Sequence, residues 1–241
     1  MLSPVPAELA EHAAFGSAPH NYPVLYLHDG QNCLTHNVFG APGWDVHEVA
    51  TRLAFEGRMA PVIVVMVDNA GDAPGRKREF VPGAGEPDGQ HADGYLDFLE
   101  ADVVPFVEAW YPALPGPADR CIGGSSYGGL ISLYAGWTRP QAWSRVLCMS
   151  PAFDWPFDGL VRATRQRPAL RLYLDSGTTD FEGSDDGQAE TEALRDLLIA
   201  RGFVPGVDLV HQVGHGDTHE EAAWRRRLPL ALPFLFPPGR R

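Results

Sequence analysis

The chain is poor in cysteine: Cys33, Cys121 and Cys148 are the only three among 241 residues. Their number is odd, and their spacings match neither a zinc set nor a disulfide framework. Cys121 and Cys148 lie in apolar runs and read as small core residues. An excess of cations is also missing. Nineteen Lys and Arg stand against 31 Asp and Glu, a net charge of −12. Nucleic acid and anionic membrane surfaces call for clustered cations, so neither partner is expected. No apolar run is long enough to span a bilayer; the late stretch LPLALPFLF is too short and carries two prolines. The start, MLSPVPAELAEHAAFG, has no basic opening and no apolar signal core. A cytoplasmic location is the default expectation. Repeats, low-complexity tracts and linkers are absent too. We therefore expect a single domain over residues 1–241, with 1–20 as an N-terminal extension.

What is present is an alternation. Apolar runs at 23–30, 61–69, 120–126, 145–151, 170–177 and 207–214 each end in a polar or glycine-rich loop. Continuous apolar runs suit strands covered on both faces, as in a parallel sheet. Helical patterns fall between them, at 44–57, 92–110, 127–138, 187–201 and 219–235. Strand–helix alternation implies a layered α/β domain with right-handed crossovers. In such sheets the ligand site lies beyond the carboxyl ends of the strands, which directs attention to HDGQN, VDNAGD, GGSSYGG, SPAFD, DSGTTD and GHGDTH.

One of these loops carries G-x-S-x-G: Gly124-Ser125-Ser126-Tyr127-Gly128, after a strand pattern and before a helical one. A serine on a tight strand-to-helix turn needs small neighbours, and its hydroxyl then projects at a helix N-terminus. The spacing makes Ser126 the candidate nucleophile and leaves Ser125 at the neighbouring variable position. A plain helix cap is the structural alternative. A serine hydroxyl needs a base, and downstream of Ser126 the histidines are His211, His215 and His219. His211 falls inside a strand pattern; His215 and His219 share one loop. The orienting acid should follow the strand at 170–175, where Asp175, Asp180, Glu182, Asp185 and Asp186 are available. Asp180 lies where a loop can curl back, with Glu182 its rival. Two backbone N–H groups should hold an oxyanion: that of Tyr127, and that of Gln31 after Gly30 in the first loop. His28, His36 and His47 show no ligand spacing, so neither metal nor cofactor is implied.

The blocks YPVLYLHDGQN, VVMVDNAGDAPGRKREFVP, ADGYLDFLEADVVPFVEAWYP, GGSSYGGLISLYA and HEEAAWRRRLPLALPFLF resemble an α/β-hydrolase group named the putative esterases. That group includes esterase D, ferulic acid esterases, enterobactin esterases and mycolyltransferases. The resemblance covers about residues 22 to 236. It implies a three-layer α/β-hydrolase sandwich around a mostly parallel sheet of about six strands. It favours His219 over His215, through HEEAAW, and Asp180, through GTTD. It places the oxyanion donor on Gln31 and sets Arg78 and Glu79 in a segment near the site. Trp44, Phe80, Tyr127, Phe153, Trp155 and Phe181 lie in or near the site loops. Of these, Trp44, Phe153 and Phe181, with Arg78, are the expected substrate contacts.

The expected activity is hydrolysis of a small-molecule carboxylic ester through an acyl-enzyme, with Ser126, His219 and Asp180 as triad. Acyl transfer to an alcohol on the same triad, and an inactive binding scaffold, are the alternatives. The family's antiparallel strands before YPVLY have no counterpart here. One sheet edge therefore needs cover, either from a short helix at 5–14 or from a second copy in a homodimer.

Overall fold

The computed structural model describes residues 21–83, 91–179 and 185–239. Its centre is a six-stranded sheet of order β2-β1-β3-β4-β5-β6, with every neighbouring pair parallel. The strands are β1 Val24–His28, β2 Ile63–Val67, β3 Arg120–Ser126, β4 Arg145–Pro151, β5 Arg171–Gly177 and β6 Leu209–Gly214. The helices are α1 Val46–Phe55, α2 Ala73–Phe80, α3 His91–Phe98, α4 Val104–Trp110, α5 Tyr127–Thr138, α6 Phe157–Ala163, α7 Gln188–Ala200 and α8 Glu221–Leu235.

Side chains alternate across a strand, and here both faces are buried. Val24 and Tyr26 of β1, Val146 and Cys148 of β4, and Leu172 and Leu174 of β5 join one core with residues of α3 to α7. Leu25 and Leu27, Leu147 and Met149, and Tyr173 join the other core, under α1 and α8. This two-sided burial is why the strands read as unbroken apolar runs. Between α3 and α4 the chain makes a π turn at Leu99–Val103. Pro105 follows, and a proline inside a helix lacks the donor for the regular ladder; the wider turn lets the helical path continue.

The strands and helices fall where the sequence pattern puts them, with two additions. Helices α2 and α6 are short, and α2, APGRKREF, has no apolar stripe to announce it. It starts on a cap: the Asp72 carboxylate accepts from Gly75 N–H at 2.5 Å. Among the described residues β2 and β6 form the sheet edges. The 5–14 segment, expected to cover one sheet edge, lies outside the described residues. No helix among the described residues is long and apolar enough to cross a membrane.

Candidate active site

At the carboxyl end of β3 the chain turns directly into α5. Ser126, the last residue of β3, has φ +57° and ψ −124°. This backbone is rare for a residue with a side chain and stores strain. Ser125 does not share the positive φ and is buried. A Cβ on Gly124 would stand 2.8 Å from the Gly128 carbonyl carbon, so strand and helix touch there without side chains between them. A Cβ on Gly128 would lie 3.3 Å from the Asp29 carboxylate and 3.4 Å from the His28 Cβ. The glycines of this motif are therefore close-approach positions, and they present Ser126 at the head of α5.

Ser126 lines a cleft of about 320 Å³ together with Asp29, Gln31, Trp44, Asn69, Arg76, His219 and Trp224. His219 stands just before α8, and its Nδ1 meets Asp186 Oδ1 at 2.5 Å. The acid expected in this place, Asp180, lies outside the described residues, as do Glu182 and Phe181. Asp186 reaches the imidazole because it sits immediately before α7, where Gly177 N–H and Ser150 O–H hold its other oxygen at 2.5 and 2.7 Å. Trp224 packs edge-on against His219, with ring centroids 5.1 Å apart, and also contacts Trp44 at 5.5 Å. Among the described residues no hydrogen bond joins Ser126 Oγ to His219.

Gln31 lies in the 3-10 turn Gly30–Asn32, and Tyr127 is the first residue of α5. Their N–H groups belong to first turns and have no partner within those turns. The phenol of Tyr127 points elsewhere and donates to Asp154 at 2.7 Å, a bond that, with Lys77, holds that carboxyl below its usual pKa. Arg78 is exposed and does not line the cleft; Arg76 does. Two residues along a helix point to nearly opposite sides, whereas Arg76 and Phe80, four apart, share one face. Arg76 forms a two-pronged ion pair with Asp29, at 2.8 and 2.7 Å, and reaches Ser125 O at 3.4 Å. Asn69 also donates to Asp29, at 2.6 Å. Phe153 packs on the core and lines a separate cavity with Trp155 and Phe157, outside the cleft. A helix at 73–80, had the polar stretch suggested one, would have selected Arg76. Asp186 offered only its place directly before a helical pattern.

One described group could offer metal ligands: Asp45, His47 and Glu48, with three ligand atoms within 4.8 Å of one another. Arg225 already pairs with Asp45 and lies 3.7 Å from Glu48, so a guanidinium meets that charge.

Residues 12–235 match the model of the family described as Putative esterase. The chain belongs to this family. It is 30% identical over 225 residues to the iron(III) enterobactin esterase of Escherichia coli K12, which covers 90% of this chain and 50% of that protein. It is 28% identical over 152 residues to the ferri-bacillibactin esterase of Bacillus subtilis, covering 57% of this chain and 50% of that one. The fold is that of the enterobactin esterase of Shigella flexneri crystallised with 2,3-dihydroxy-N-benzoyl-serine: TM-score 0.69 at 23% identity, covering 91% of this chain and 53% of that one. The chain thus spans about half the length of these relatives.

Proposed function

We propose that this chain hydrolyses carboxylic esters through an acyl-enzyme, with Ser126 as nucleophile, His219 as base and Asp186 as its orienting acid. One observation carries the reading: a strained serine between β3 and α5 shares a cleft with a histidine whose Nδ1 is held by a buried carboxylate. With Nδ1–H committed to Asp186, the lone pair of His219 sits on Nε2, the nitrogen a base must use. Ser126 Oγ attacks the ester carbonyl carbon while Nε2 takes its proton. The carbonyl oxygen becomes an oxyanion, held by the N–H groups of Gln31 and Tyr127. The tetrahedral adduct collapses, the C–O bond to the alcohol breaks, and Nε2 returns the proton to the leaving oxygen. Water repeats the sequence on the acyl-serine. The hydrogen bond from Ser126 Oγ to His219 Nε2 forms when substrate fills the cleft.

The cleft suits a polar small molecule with aromatic parts. Trp44, Trp224 and the exposed Phe39 line it, and Asn69 and Arg76 line it too. Siderophore esters, the substrates in the relatives' names, are the first class to assay. The test is a panel of ferric siderophore esters, feruloyl esters and p-nitrophenyl esters of graded length, run with wild type and Ser126→Ala. We expect turnover of at least one class and a loss of about 10⁶-fold in kcat in the variant. Equal rates in the two proteins would refute the assignment. Adding an alcohol acceptor and identifying the product separates hydrolysis from acyl transfer.

A further inference from the structure

We propose that Ser150 is a positioning residue for this reaction: its hydroxyl, oriented by Arg227 and Trp224, clamps Asp186 so that Asp186 holds His219. The inference rests on the catalytic reading of Ser126 and His219 given above.

Ser150 lies at the end of β4 and is 1% exposed. Its Oγ has three polar neighbours: Arg227 Nη2 at 2.9 Å, Trp224 Nε1 at 3.0 Å and Asp186 Oδ2 at 2.7 Å. A guanidinium and an indole N–H can only donate. Both lone pairs of the hydroxyl are thereby occupied, and its single proton must go to Asp186. The direction of the bond follows from the inventory of donors. Asp186 Oδ2 then receives Ser150 O–H and Gly177 N–H, and Oδ1 is left facing His219 Nδ1.

The clamp is built from three parts of the fold. Ser150 comes from β4, Asp186 from the segment before α7, and Arg227 and Trp224 from α8. Arg227 is itself 3% exposed and fixed by the Asp175 carboxylate at 2.8 and 3.1 Å and by Asp217 at 2.8 Å. Asp175 is fully buried on β5 and also accepts from Ser150 N–H and Tyr173 O–H. Burial pushes its carboxyl pKa up, and these donors with Arg227 oppose that push. The guanidinium polarises the Ser150 hydroxyl toward Asp186, and a charge-polarised donor makes the stronger bond.

Backbone conformation supports a role beyond packing. Ser150 has φ +39°, where a residue with a side chain is strained by about 1–3 kcal/mol. Glycine would remove the strain, but glycine has no hydroxyl.

The test uses Ser150→Gly, which suits the positive φ and removes only the hydroxymethyl group, with Ser150→Cys as the variant that keeps its shape. Each is compared with wild type by thermal unfolding, by kcat and KM over pH, and by the downfield NMR signal of the His219 Nδ1 proton. We expect a folded Ser150→Gly enzyme with kcat down about 10- to 100-fold, the range for a hydrogen bond to a charged group, and KM little changed. Cys, a weak donor, should fall between. Asp186 without its donor binds the imidazolium more tightly, so the acid limb of kcat/KM should move to higher pH and the Nδ1 proton signal should shift. The charged groups that meet His219, adjoin it in the chain or share the cleft with it are Asp186, Asp217, Glu220, Glu221, Asp72 and the Asp29–Arg76 pair. Among them only Asp186 loses a partner in these variants. A folded variant with kcat within twofold, an unmoved pH profile and an unmoved proton signal overturns the proposal. The NMR readout needs no turnover. Activity that survives Ser126→Ala would sink the catalytic reading by itself, while the proton signal would still report whether Ser150 holds Asp186.

Discussion

Arg76 shows how far a single side chain can reach. Its guanidinium grips Asp29 with two parallel bonds, touches Ser125 O, and lies over the rings of Phe80 and Tyr127 at 5.5 and 5.4 Å. Asp29 has φ +55° and caps the turn that carries Gln31. Arg76 therefore ties the loop after β1 to the strand-to-helix turn after β3, the two places that carry the N–H groups proposed to hold the oxyanion. Replacing it by Gln leaves the mostly buried Asp29 carboxylate short of its counter-charge. We expect Arg76→Gln to lose about 3 kcal/mol in urea unfolding, and kcat to fall while KM stays close to wild type. Arg78→Gln, on the exposed side of α2, should change neither; loss of activity in that variant instead would return the role to the residue that motif matching selects. The family resemblance names Arg78 in this segment, whereas the arginine that lines the cleft is Arg76. The face of α2 that looks into the cleft is decided by a helix too short and too polar to show a period. Asp186 was hidden for a related reason. Four acids crowd the segment between β5 and α7, with Asp175 on the strand before them, and only the folded chain shows that Ser150 and Gly177 N–H hold Asp186 against His219.

Among the elements, β1 ends on a residue whose protonation the fold opposes. His28 is buried, donates or accepts at Nδ1 with Tyr95 O–H at 2.7 Å, and packs on Phe80 and Tyr95. Its Nε2 has no partner among the described residues. Burial lowers its pKa from 6.5 to about 4, with Asp29 opposing and Arg76 adding to the effect. The folded state refuses a proton that the unfolded state accepts between these values. Stability is therefore complete above pH 6.5 and declines as pH falls toward 4. The difference between pH 7.5 and pH 5 amounts to about 2 kcal/mol for this group. His28→Asn, whose amide can still meet the Tyr95 hydroxyl, should lose about that much less than wild type over the same interval in urea titrations. An equal loss in both proteins would place the acid sensitivity elsewhere. At this scale the sequence was informative. The six strand runs and six of the eight helices, α3 and α4 sharing one pattern, stand within about two residues of their patterns, because two-sided burial writes continuous apolar runs and α1, α5, α7 and α8 have cores to face. The failures were α2 and α6, which bury little and so leave little periodic signal.

Across the whole molecule, the site is assembled from the ends of separate strands: Gln31 after β1, Arg76 after β2, Ser126 and Ser150 at the ends of β3 and β4, Asp186 after β5, and His219 after β6. A parallel sheet brings these ends to one side, which is why loops nearly 190 residues apart can meet. The same arrangement makes the site depend on the packing of both layers. Helix α8 is the clearest case. Its first turns carry Trp224 and Arg227, and its later turns bury Leu228, Leu232 and Leu235 against the sheet. Leu232 is fully buried and lies eight residues beyond Trp224, about 12 Å along the axis. Truncating it to Ala should cost about 2–5 kcal/mol through lost burial and the cavity left behind. We expect the folded Leu232→Ala protein to keep kcat within twofold at low temperature, since that side chain does not line the cleft. Its loss of activity and its loss of tryptophan fluorescence in urea should coincide and shift together to lower concentration. Activity disappearing well before the fluorescence change would mean that the end of α8 bearing the site opens on its own, and that the two ends of the helix are not one cooperative unit.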